Sequence, residues 1–203
     1  MRWLPYGADA ALIECDSLAE TGAVRATVAS AGIPDVVEVV PAARTVLVSV
    51  RPDSKALAEI RALVEAADLA HPPAGESREH VLDVRYDGED LELVARTAGI
   101  TVEDVIALHT SAFYAVAFTG FAPGFGYLTG LPEPLRQSRL DSARTRVPAG
   151  SVAIAGEFAG VYPRASPGGW RLLGHTDTVL FDPRAERPAL LAPGDGVRFR
   201  RAP

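Results

Sequence analysis

Lysine is almost absent from this sequence, since all but one of its 20 basic residues are arginine. A phosphate-binding P-loop needs a lysine after glycine, and Lys55 instead follows Ser54, which excludes that motif. The single methionine is Met1, so the Met-Lys-Met motif of biotin attachment is absent as well. Cys15 is the single cysteine, so no internal disulfide can form, and the four histidines have no zinc-site spacing. We therefore expect no metal site on this chain.

Long apolar runs and excess positive charge are also missing. No window approaches the ~18 uninterrupted apolar residues of a membrane helix, and residues 1–7 lack the apolar stretch of a secretory signal. The 26 acids outnumber the 20 bases, and the net charge of −6 repels nucleic acid and anionic lipid. We expect a cytoplasmic protein that has neither nucleic acid nor a membrane as partner.

What the sequence does have is the composition of a globular protein, with 48% hydrophobic and 23% charged residues. Its 203 residues allow one large or two small domains. Residues 119–196 hold 12 of the 18 glycines and 9 of the 16 prolines, so the architecture changes along the chain. Residues 71–77 combine turn formers and polar residues without periodicity, which predicts a linker. The predicted domains are residues 1–75 and 78–203.

The first domain is predicted to be a small α+β domain of order βαββα. Ser17 and Glu20 form a capping pair that opens a helix, and Gly32 closes it. Asp53 is predicted to cap a second helix, whose apolar residues recur at helical spacing. The predicted strands are 10–15, 36–40 and 45–50.

The second domain is predicted to be an all-β barrel with two short helices. A strand over residues 81–86 precedes the helices, which cover residues 90–98 and residues 101–109. Short strands separated by glycine and proline turns follow, and closing them into a barrel removes exposed strand edges. These strands are 114–118, 151–155, 169–173, 178–181 and 197–200.

Three segments of the second domain keep large aromatic residues beside glycine and proline, namely residues 118–128, 147–163 and 166–176. Glycine permits a positive φ and close backbone approach, while proline fixes φ. Loops of this kind can present backbone N–H groups and aromatic faces to a small polar or anionic ligand, or to a partner protein. They can equally turn the corners of a barrel.

The same segments carry a family resemblance that covers essentially the whole chain. The motifs are Phe-x-Pro-Gly-Phe-x-Tyr-Leu from Phe121, Val-Pro-Ala-Gly-Ser-Val, Gly-Val-Tyr-Pro, Ser-Pro-Gly-Gly-Trp, and Leu-Ala-Pro-Gly-Asp-x-Val-x-Phe from Leu191. In this order they resemble the PxpB/KipI family, also known as allophanate hydrolase subunit 1 or carboxyltransferase subdomain C/D. The sequence departs from the family's pattern at Phe158-Ala159, where relatives carry Gln-Thr, and at His175, where they carry arginine.

The resemblance implies a cyclophilin-like barrel after a small α+β domain. It also implies a complex with a PxpC/KipA-type protein (allophanate hydrolase subunit 2) and a PxpA-type third subunit. With ATP and magnesium at the level of the complex, the assembly would be a bacterial 5-oxoprolinase that opens the lactam of 5-oxoproline to glutamate. Allophanate hydrolysis and inhibition of a histidine kinase are the alternatives inside the family. Prolyl isomerisation rests on fold analogy alone.

No complete set of catalytic groups is visible in the sequence, so we expect this chain to be inactive alone and to supply one wall of a shared site. His109 and Glu157 are the candidate acid–base residues, although His109 could instead stabilise a helix end and Glu157 could be an ordinary loop carboxylate. Four arginines, Arg144, Arg146, Arg164 and Arg171, could each bind a carboxylate. The candidate ligand or interface residues are Phe121, Pro123, Gly124, Phe125, Tyr127, Pro148, Gly150, Ser151, Tyr162, Pro163, Ser166, Pro167, Gly168, Gly169, Trp170, His175 and Thr176.

Overall fold

A computed structural model describes residues 1–75 and 77–203. The chain divides into two compact units, Met1–Glu76 and Ser77–Pro203. One residue of the predicted linker, Glu76, lies outside the described residues. Within the described ranges, every helix is too short or too polar to cross a membrane.

The first unit is a four-stranded antiparallel sheet with two helices. In spatial order its strands are β1, β2, β4 and β3. The apolar core includes Ile13, Val46 and Val48 from the strands and Val24 and Ile60 from the helices, all fully buried. The elements are β1 (Arg2–Pro5), β2 (Ala10–Glu14), α1 (Leu18–Ser30), β3 (Val36–Pro41), β4 (Thr45–Val50) and α2 (Ala56–Ala66).

Two expectations for the first unit need correction. The order is ββαββα rather than βαββα, because β1 adds an edge strand paired with β2. The Ser17 hydroxyl caps α1 as predicted, accepting from the N–H of Glu20 (3.1 Å). Asp53, however, does not cap α2: it has a left-handed backbone (φ 61°), and the Ser54 hydroxyl accepts the N–H of Ala56 instead.

The second unit is built on a seven-stranded mixed sheet of order β12-β9-β10-β7-β6-β13-β5, accompanied by a two-stranded ribbon of β11 and β8. Strand β5 pairs in parallel with β13, and the other pairs are antiparallel. The helices are α3 (Leu91–Ala98) and α4 (Val102–Ser111), with one 3₁₀ turn at Glu133–Leu135. The strands are β5 (Glu79–Val84), β6 (Tyr114–Thr119), β7 (Gly126–Thr129), β8 (Arg144–Val147), β9 (Ser151–Ala155), β10 (Phe158–Val161), β11 (Ser166–Gly168), β12 (Arg171–His175) and β13 (Gly196–Arg201).

The two outer strands of this sheet meet, so the sheet forms a nearly closed barrel. Just after β5, the N–H and the carbonyl of Arg85 bond with those of His175 at the end of β12, both at 2.9 Å. Farther on, Gly88 and Asp90 donate to the carbonyls of Leu173 and Leu172, both at 3.1 Å. The barrel and the two short helices match the expected fold class, while the likeness to cyclophilins stays a prediction.

Several of the predicted second-unit elements differ from the structure. Residues 178–181 do not form a strand among the described elements, since only Phe181 pairs, in an isolated bridge with Ala189. Strands β7, β8, β10 and β11 were not predicted. Helix α4 begins with a capping box, in which the side chains of Thr101 and Asp104 each accept from the other residue's backbone N–H at 3.1 Å.

Candidate functional site

Aromatic residues from all three glycine- and proline-rich segments converge on one side of the barrel. Phe125 is the centre, because its ring makes edge-to-face contacts with four others at centroid distances of 5.1–5.5 Å. Those four rings are Phe121, Tyr127, Tyr162 and Trp170. Phe125 and Tyr162 are buried, whereas Tyr127 and Trp170 are half-buried and Phe121 is exposed.

These rings enclose a cavity of about 300 Å³, which we call the aromatic pocket. Its volume lies at the small end of the range for ligand-binding pockets. The pocket joins all three glycine- and proline-rich segments with Arg139 and Ala143, which lie between the first and second segments. Its described lining residues are Phe121, Phe125, Tyr127, Arg139, Ala143, Tyr162, Pro167, Gly168, Gly169 and Trp170.

One glycine is required for the pocket to have this shape. A Cβ atom at Gly168 would collide with the hydroxyl of Tyr162, so any side chain there would displace that ring. The Tyr162 ring contacts Phe125 and Phe121, and its displacement would open the cluster. The first glycine of the Ser-Pro-Gly-Gly-Trp motif, Gly168, is therefore required because a larger residue would clash with Tyr162.

The two tyrosines of the pocket are neutral hydrogen-bonding groups at neutral pH. Burial raises the pKa of both Tyr127 and Tyr162 above the ordinary value of 10.0. A phenol with a raised pKa keeps its proton and can donate a hydrogen bond to a carbonyl oxygen. The pocket thus combines apolar walls with hydroxyl donors.

Phe121 has an unusual backbone for a large side chain. Its φ is 64°, and the N–H of Ala122 donates to the carbonyl of Gly120 (2.6 Å), which makes a strained γ-turn. The turn holds a ring that is 56% exposed, and the same ring lines a second cavity of about 570 Å³. Pro123 and Gly124 line that second cavity beside Leu191. Strain of this kind is typical of functional sites.

His175 and Thr176 lie apart from the aromatic pocket, in a polar cavity of about 440 Å³ at the barrel closure. The Nε of Arg85 donates to the Nε2 of His175 (2.9 Å), so the imidazole proton belongs on Nδ1, which donates to Asp87 (2.8 Å). His175 is therefore engaged by neighbours on both ring nitrogens. Its role as a ligand contact stays a prediction.

His109 and Glu157, the candidate acid–base pair, do not come together at the pocket. His109 is fully buried on α4, where its Nδ1 meets the hydroxyl of Tyr86 (2.8 Å) and its ring stacks on Phe199 (4.4 Å). Burial lowers the pKa of His109 to about 3, so the ring is neutral at neutral pH. Glu157 is exposed in the turn between β9 and β10. Their catalytic roles stay predictions, and the surroundings of His109 are those of a core residue.

The remaining candidates position the strands. Gly150, with φ 80°, donates its N–H to the carbonyl of Tyr162 (2.8 Å) and accepts from the N–H of Thr176 (2.9 Å). Ser151, three residues after Pro148, is buried at the start of β9, and the hydroxyl of Ser166, three residues after Pro163, donates to the carbonyl of Arg164 (3.3 Å). Of these contacts, the hydrogen bond from Thr176 to Gly150 links the second segment to the third.

Sequence reasoning missed two lining residues of the pocket, Arg139 and Ala143, of which only Arg139 is charged. Among the predicted arginines, Arg144 is held by Asp90 at 2.8 and 2.9 Å, and the Nε of Arg171 donates to the carbonyl of Ser138. Arg146 and Arg164 are exposed. The available signal was the cluster of arginines just before Val-Pro-Ala-Gly, of which only the last two were predicted to bind a carboxylate.

A family model described as carboxyltransferase domain, subdomain C and D, matches residues 1–191. The chain belongs to this family. Relatives named as the B-type component of 5-oxoprolinase support the PxpB/KipI resemblance. The protein from Escherichia coli O157:H7 is 46% identical over 171 residues, 82% of this chain and 78% of that protein. Those from Haemophilus influenzae and Bacillus subtilis are 48% and 46% identical over 55% and 59% of this chain, which spans 53% and 51% of their lengths.

Several solved structures share the fold of this chain. TTHA0988 superimposes with a TM-score of 0.82 at 34% identity over 97% of this chain, which spans 40% of that longer protein. PH0987 from Pyrococcus horikoshii matches with a TM-score of 0.60 at 30% identity, over 99% of this chain and 97% of that one. The urea carboxylase of Kluyveromyces lactis, at 20% identity and a TM-score of 0.69, shares the fold alone over 22% of its length.

Proposed function

We propose that this chain is the PxpB-type component of a cytoplasmic, heteromeric, ATP-dependent 5-oxoprolinase. It acts with a PxpC/KipA-type subunit and a PxpA-type third subunit, and the complex converts 5-oxo-L-proline, ATP and water to L-glutamate, ADP and phosphate. The observation that supports this most strongly is the 46% identity to the B-type 5-oxoprolinase component of E. coli over 82% of the chain.

The aromatic pocket is the part of this chain that suits such a reaction. A five-membered lactam is a small, flat and partly apolar ring, and rings of this kind pack well between aromatic side chains. The protonated hydroxyls of Tyr127 and Tyr162 are available to donate to the lactam carbonyl. Packing of the ring against Trp170 and Phe125 would also exclude water from one face of the lactam until the partner subunits close the other.

We place ATP and magnesium at the level of the complex and propose no site for them on this chain. Among residues 1–75 and 77–203, no three histidine, cysteine, aspartate or glutamate side chains come close enough to hold a metal ion. The sequence also lacks a P-loop. We therefore assign no phosphoryl-transfer step to this chain, and its share of the work is to bind and orient the lactam.

Reconstitution tests the proposed function. The chain is co-expressed with its PxpC/KipA-type and PxpA-type partners, and formation of ADP and glutamate is measured with and without 5-oxoproline. We expect turnover from the complete set and none from this chain alone. Turnover of allophanate without turnover of 5-oxoproline would contradict the proposal.

The pocket's part in that activity is tested by Phe125→Leu in the same complex. Losing the central ring removes four edge-to-face contacts, each worth roughly 0.5–1.5 kcal/mol. We expect at least about a tenfold loss of kcat/KM with the complex still assembled, as checked by gel filtration. Val179→Ala, an exposed residue outside the pocket, is the matched control and leaves the rate unchanged.

A further inference from the structure

Arg139 brings an available positive charge to the aromatic pocket. It is the one charged side chain among the ten described residues that line the cavity. Its side chain is exposed, and in the described part of the chain no carboxylate lies within ion-pair distance of it. An arginine that has no acidic partner at the mouth of a pocket can bind an anionic group of a ligand.

Arg144, in the same region, is an arginine whose guanidinium is already paired with acidic residues of the chain. Arg144, on β8, donates to both carboxylate oxygens of Asp90 (2.8 and 2.9 Å) and to Glu89 (3.2 Å). These two acids balance its charge and fix its position. Arg139 has no such acidic partners among the described residues, so its guanidinium is available to bind an anionic group of a ligand.

The pocket and Arg139 together define the chemical class of ligand. The walls include five aromatic rings, and aromatic walls suit a small ring with little charge. A guanidinium forms two parallel hydrogen bonds with a carboxylate, which adds direction as well as affinity. A small ring that carries one carboxylate satisfies both requirements, and a neutral ring satisfies only the first.

We propose that Arg139 binds the carboxylate of a small cyclic acid whose ring packs in the aromatic pocket, and that this residue determines the pocket's specificity. The inference rests on the proposed function, in that 5-oxoproline belongs to this class. It goes further by assigning recognition of the carboxylate to one side chain of this chain.

The test measures binding to the purified full chain, with no enzymatic readout. The probes are L-5-oxoproline and L-5-oxoprolinamide, which has the same ring but no carboxylate. Binding is followed by NMR at the two indole N–H signals, since the chain has two tryptophans and Trp3 is an internal reference outside the pocket. We expect 5-oxoproline to shift the Trp170 signal and leave that of Trp3 unchanged, with the amide binding about tenfold or more weakly.

Variants locate the effect at Arg139. Arg139→Gln is expected to weaken 5-oxoproline binding about tenfold to hundredfold and to leave amide binding unchanged. Arg139→Lys keeps the charge without the planar fork and is expected to fall between the two. Arg187→Gln, an exposed arginine outside the described pocket lining, is the matched control and binds like wild type. Near-UV circular dichroism verifies that each variant is folded.

Three results would overturn the assignment: no shift at Trp170, equal binding of acid and amide, or an Arg139→Gln variant that binds 5-oxoproline like wild type. These failures are distinguishable from failure of the proposed function. If the reconstituted complex turns over 5-oxoproline while any of the three occurs, the enzyme assignment stands and Arg139 is not the carboxylate-binding residue. If the isolated chain binds as expected and the complete complex is inactive, the pocket assignment stands and the proposed reaction is wrong.

Discussion

At the scale of single residues, His109 was predicted from the sequence to be a candidate acid–base residue, but the structure places it in an apolar core. His109 is enclosed by the rings of Tyr86, Tyr114 and Phe199 at centroid distances of 4.4–5.8 Å. Its Nε2 atom is buried and has no hydrogen-bond partner among the described residues. A ring in such a place is costly to protonate, and that cost couples folding to pH.

We predict that the second unit loses stability as the pH falls from 6.5 towards 3 because of His109. The folded-state pKa of about 3 lies below the ordinary 6.5, so in this window the unfolded chain binds a proton that the folded chain does not. The slope is up to about 1.4 kcal/mol per pH unit. Urea unfolding, followed by Trp170 fluorescence in a Trp3→Phe background, measures it.

Two variants isolate this contribution. His109→Gln keeps a hydrogen-bonding side chain near Tyr86 but does not titrate, so we expect its slope to be smaller by about one proton. His71→Gln removes an exposed histidine and is expected to match wild type. Equal slopes for wild type and His109→Gln would show that burial of this ring does not couple folding to pH.

Asp195, in the Leu-Ala-Pro-Gly-Asp motif, is a second buried polar residue with a structural task. Its carboxylate accepts from the N–H groups of Arg78 (3.0 Å) and Ala192 (2.9 Å) and contacts His80 Nε2 (3.1 Å). Burial alone would raise the pKa of Asp195, but these hydrogen bonds outweigh it and hold the pKa below the ordinary 3.8. The carboxylate therefore anchors the start of β5 to the loop before β13.

We predict that Asp195→Asn destabilises the second unit by about 1–3 kcal/mol, because an amide cannot accept all of these hydrogen bonds and loses the charge. Because the pKa is depressed, the advantage of wild type is present above pH 3.8 and shrinks as the pH falls below it. Urea unfolding at pH 7 and at pH 3 measures both effects. Glu186→Gln, which changes an exposed acid, is the control. If the difference in unfolding free energy between wild type and Asp195→Asn were as large at pH 3 as at pH 7, the charge of Asp195 would not contribute to stability.

At the scale of elements, barrel closure depends on a close approach of two backbones. A Cβ at Gly174, on β12, would overlap the carbonyl of Arg85, whose N–H and carbonyl join β5 to β12. We predict that Gly174→Ala destabilises the second unit by at least about 2 kcal/mol, since an overpacked backbone contact must move apart. Amide hydrogen exchange is expected to speed up at Arg85, Gly88 and His175.

The matched control for this variant is Gly75→Ala. A Cβ at Gly75 would meet nothing within 4 Å, so the same chemical change carries no steric cost there. Unchanged exchange at Arg85 in Gly174→Ala would show that the closure tolerates a side chain and that the two backbones can separate without loss of the bonds.

The same elements show how far sequence reasoning reached. Strands β4 (Thr45–Val50) and β9 (Ser151–Ala155) were predicted with their observed bounds. Strands β7 and β10 were missed because each has only four residues and contains glycine, so neither alternation nor propensity marks it. Their pairing is decided by distant neighbours, as in the contact of Ala159 with Leu128.

For the candidate site, the motifs predicted which segments matter but not how they meet. Phe121, Tyr127, Tyr162 and Trp170 were all named from sequence, and the structure brings them to one pocket. Arg139 was not named, because its relevance comes from having no acidic neighbour, which a sequence cannot show. Arg144 lies close to Arg139 in the sequence, but it pairs with Glu89 and Asp90, about 55 positions earlier in the chain.

At the scale of the whole molecule, each of the two units has its own apolar core. The core of the first unit lies between residues 13 and 64, and the cores of the second lie between residues 82 and 199. Each unit also contains its own reporter. Cys15, the single cysteine, is fully buried in the first unit, where burial raises the pKa of its thiol, and Trp170 lies in the second.

We predict that substitutions in one unit shift its own unfolding transition and leave the other unchanged. Gly22→Ala replaces an exposed glycine inside α1 whose Cβ would meet nothing within 4 Å, so it should stabilise the first unit by up to about 1 kcal/mol. In urea, Cys15 becomes reactive towards a thiol reagent only when the first unit opens, because a buried thiol with a raised pKa is unreactive. Gly22→Ala should move the urea midpoint of Cys15 labelling to higher urea and leave the urea midpoint of Trp170 fluorescence unchanged. Gly174→Ala should lower the Trp170 fluorescence midpoint and leave the Cys15 labelling midpoint unchanged. If either substitution moved both midpoints together, the two cores would form a single cooperative unit, and the division at residue 76 would be geometric rather than energetic.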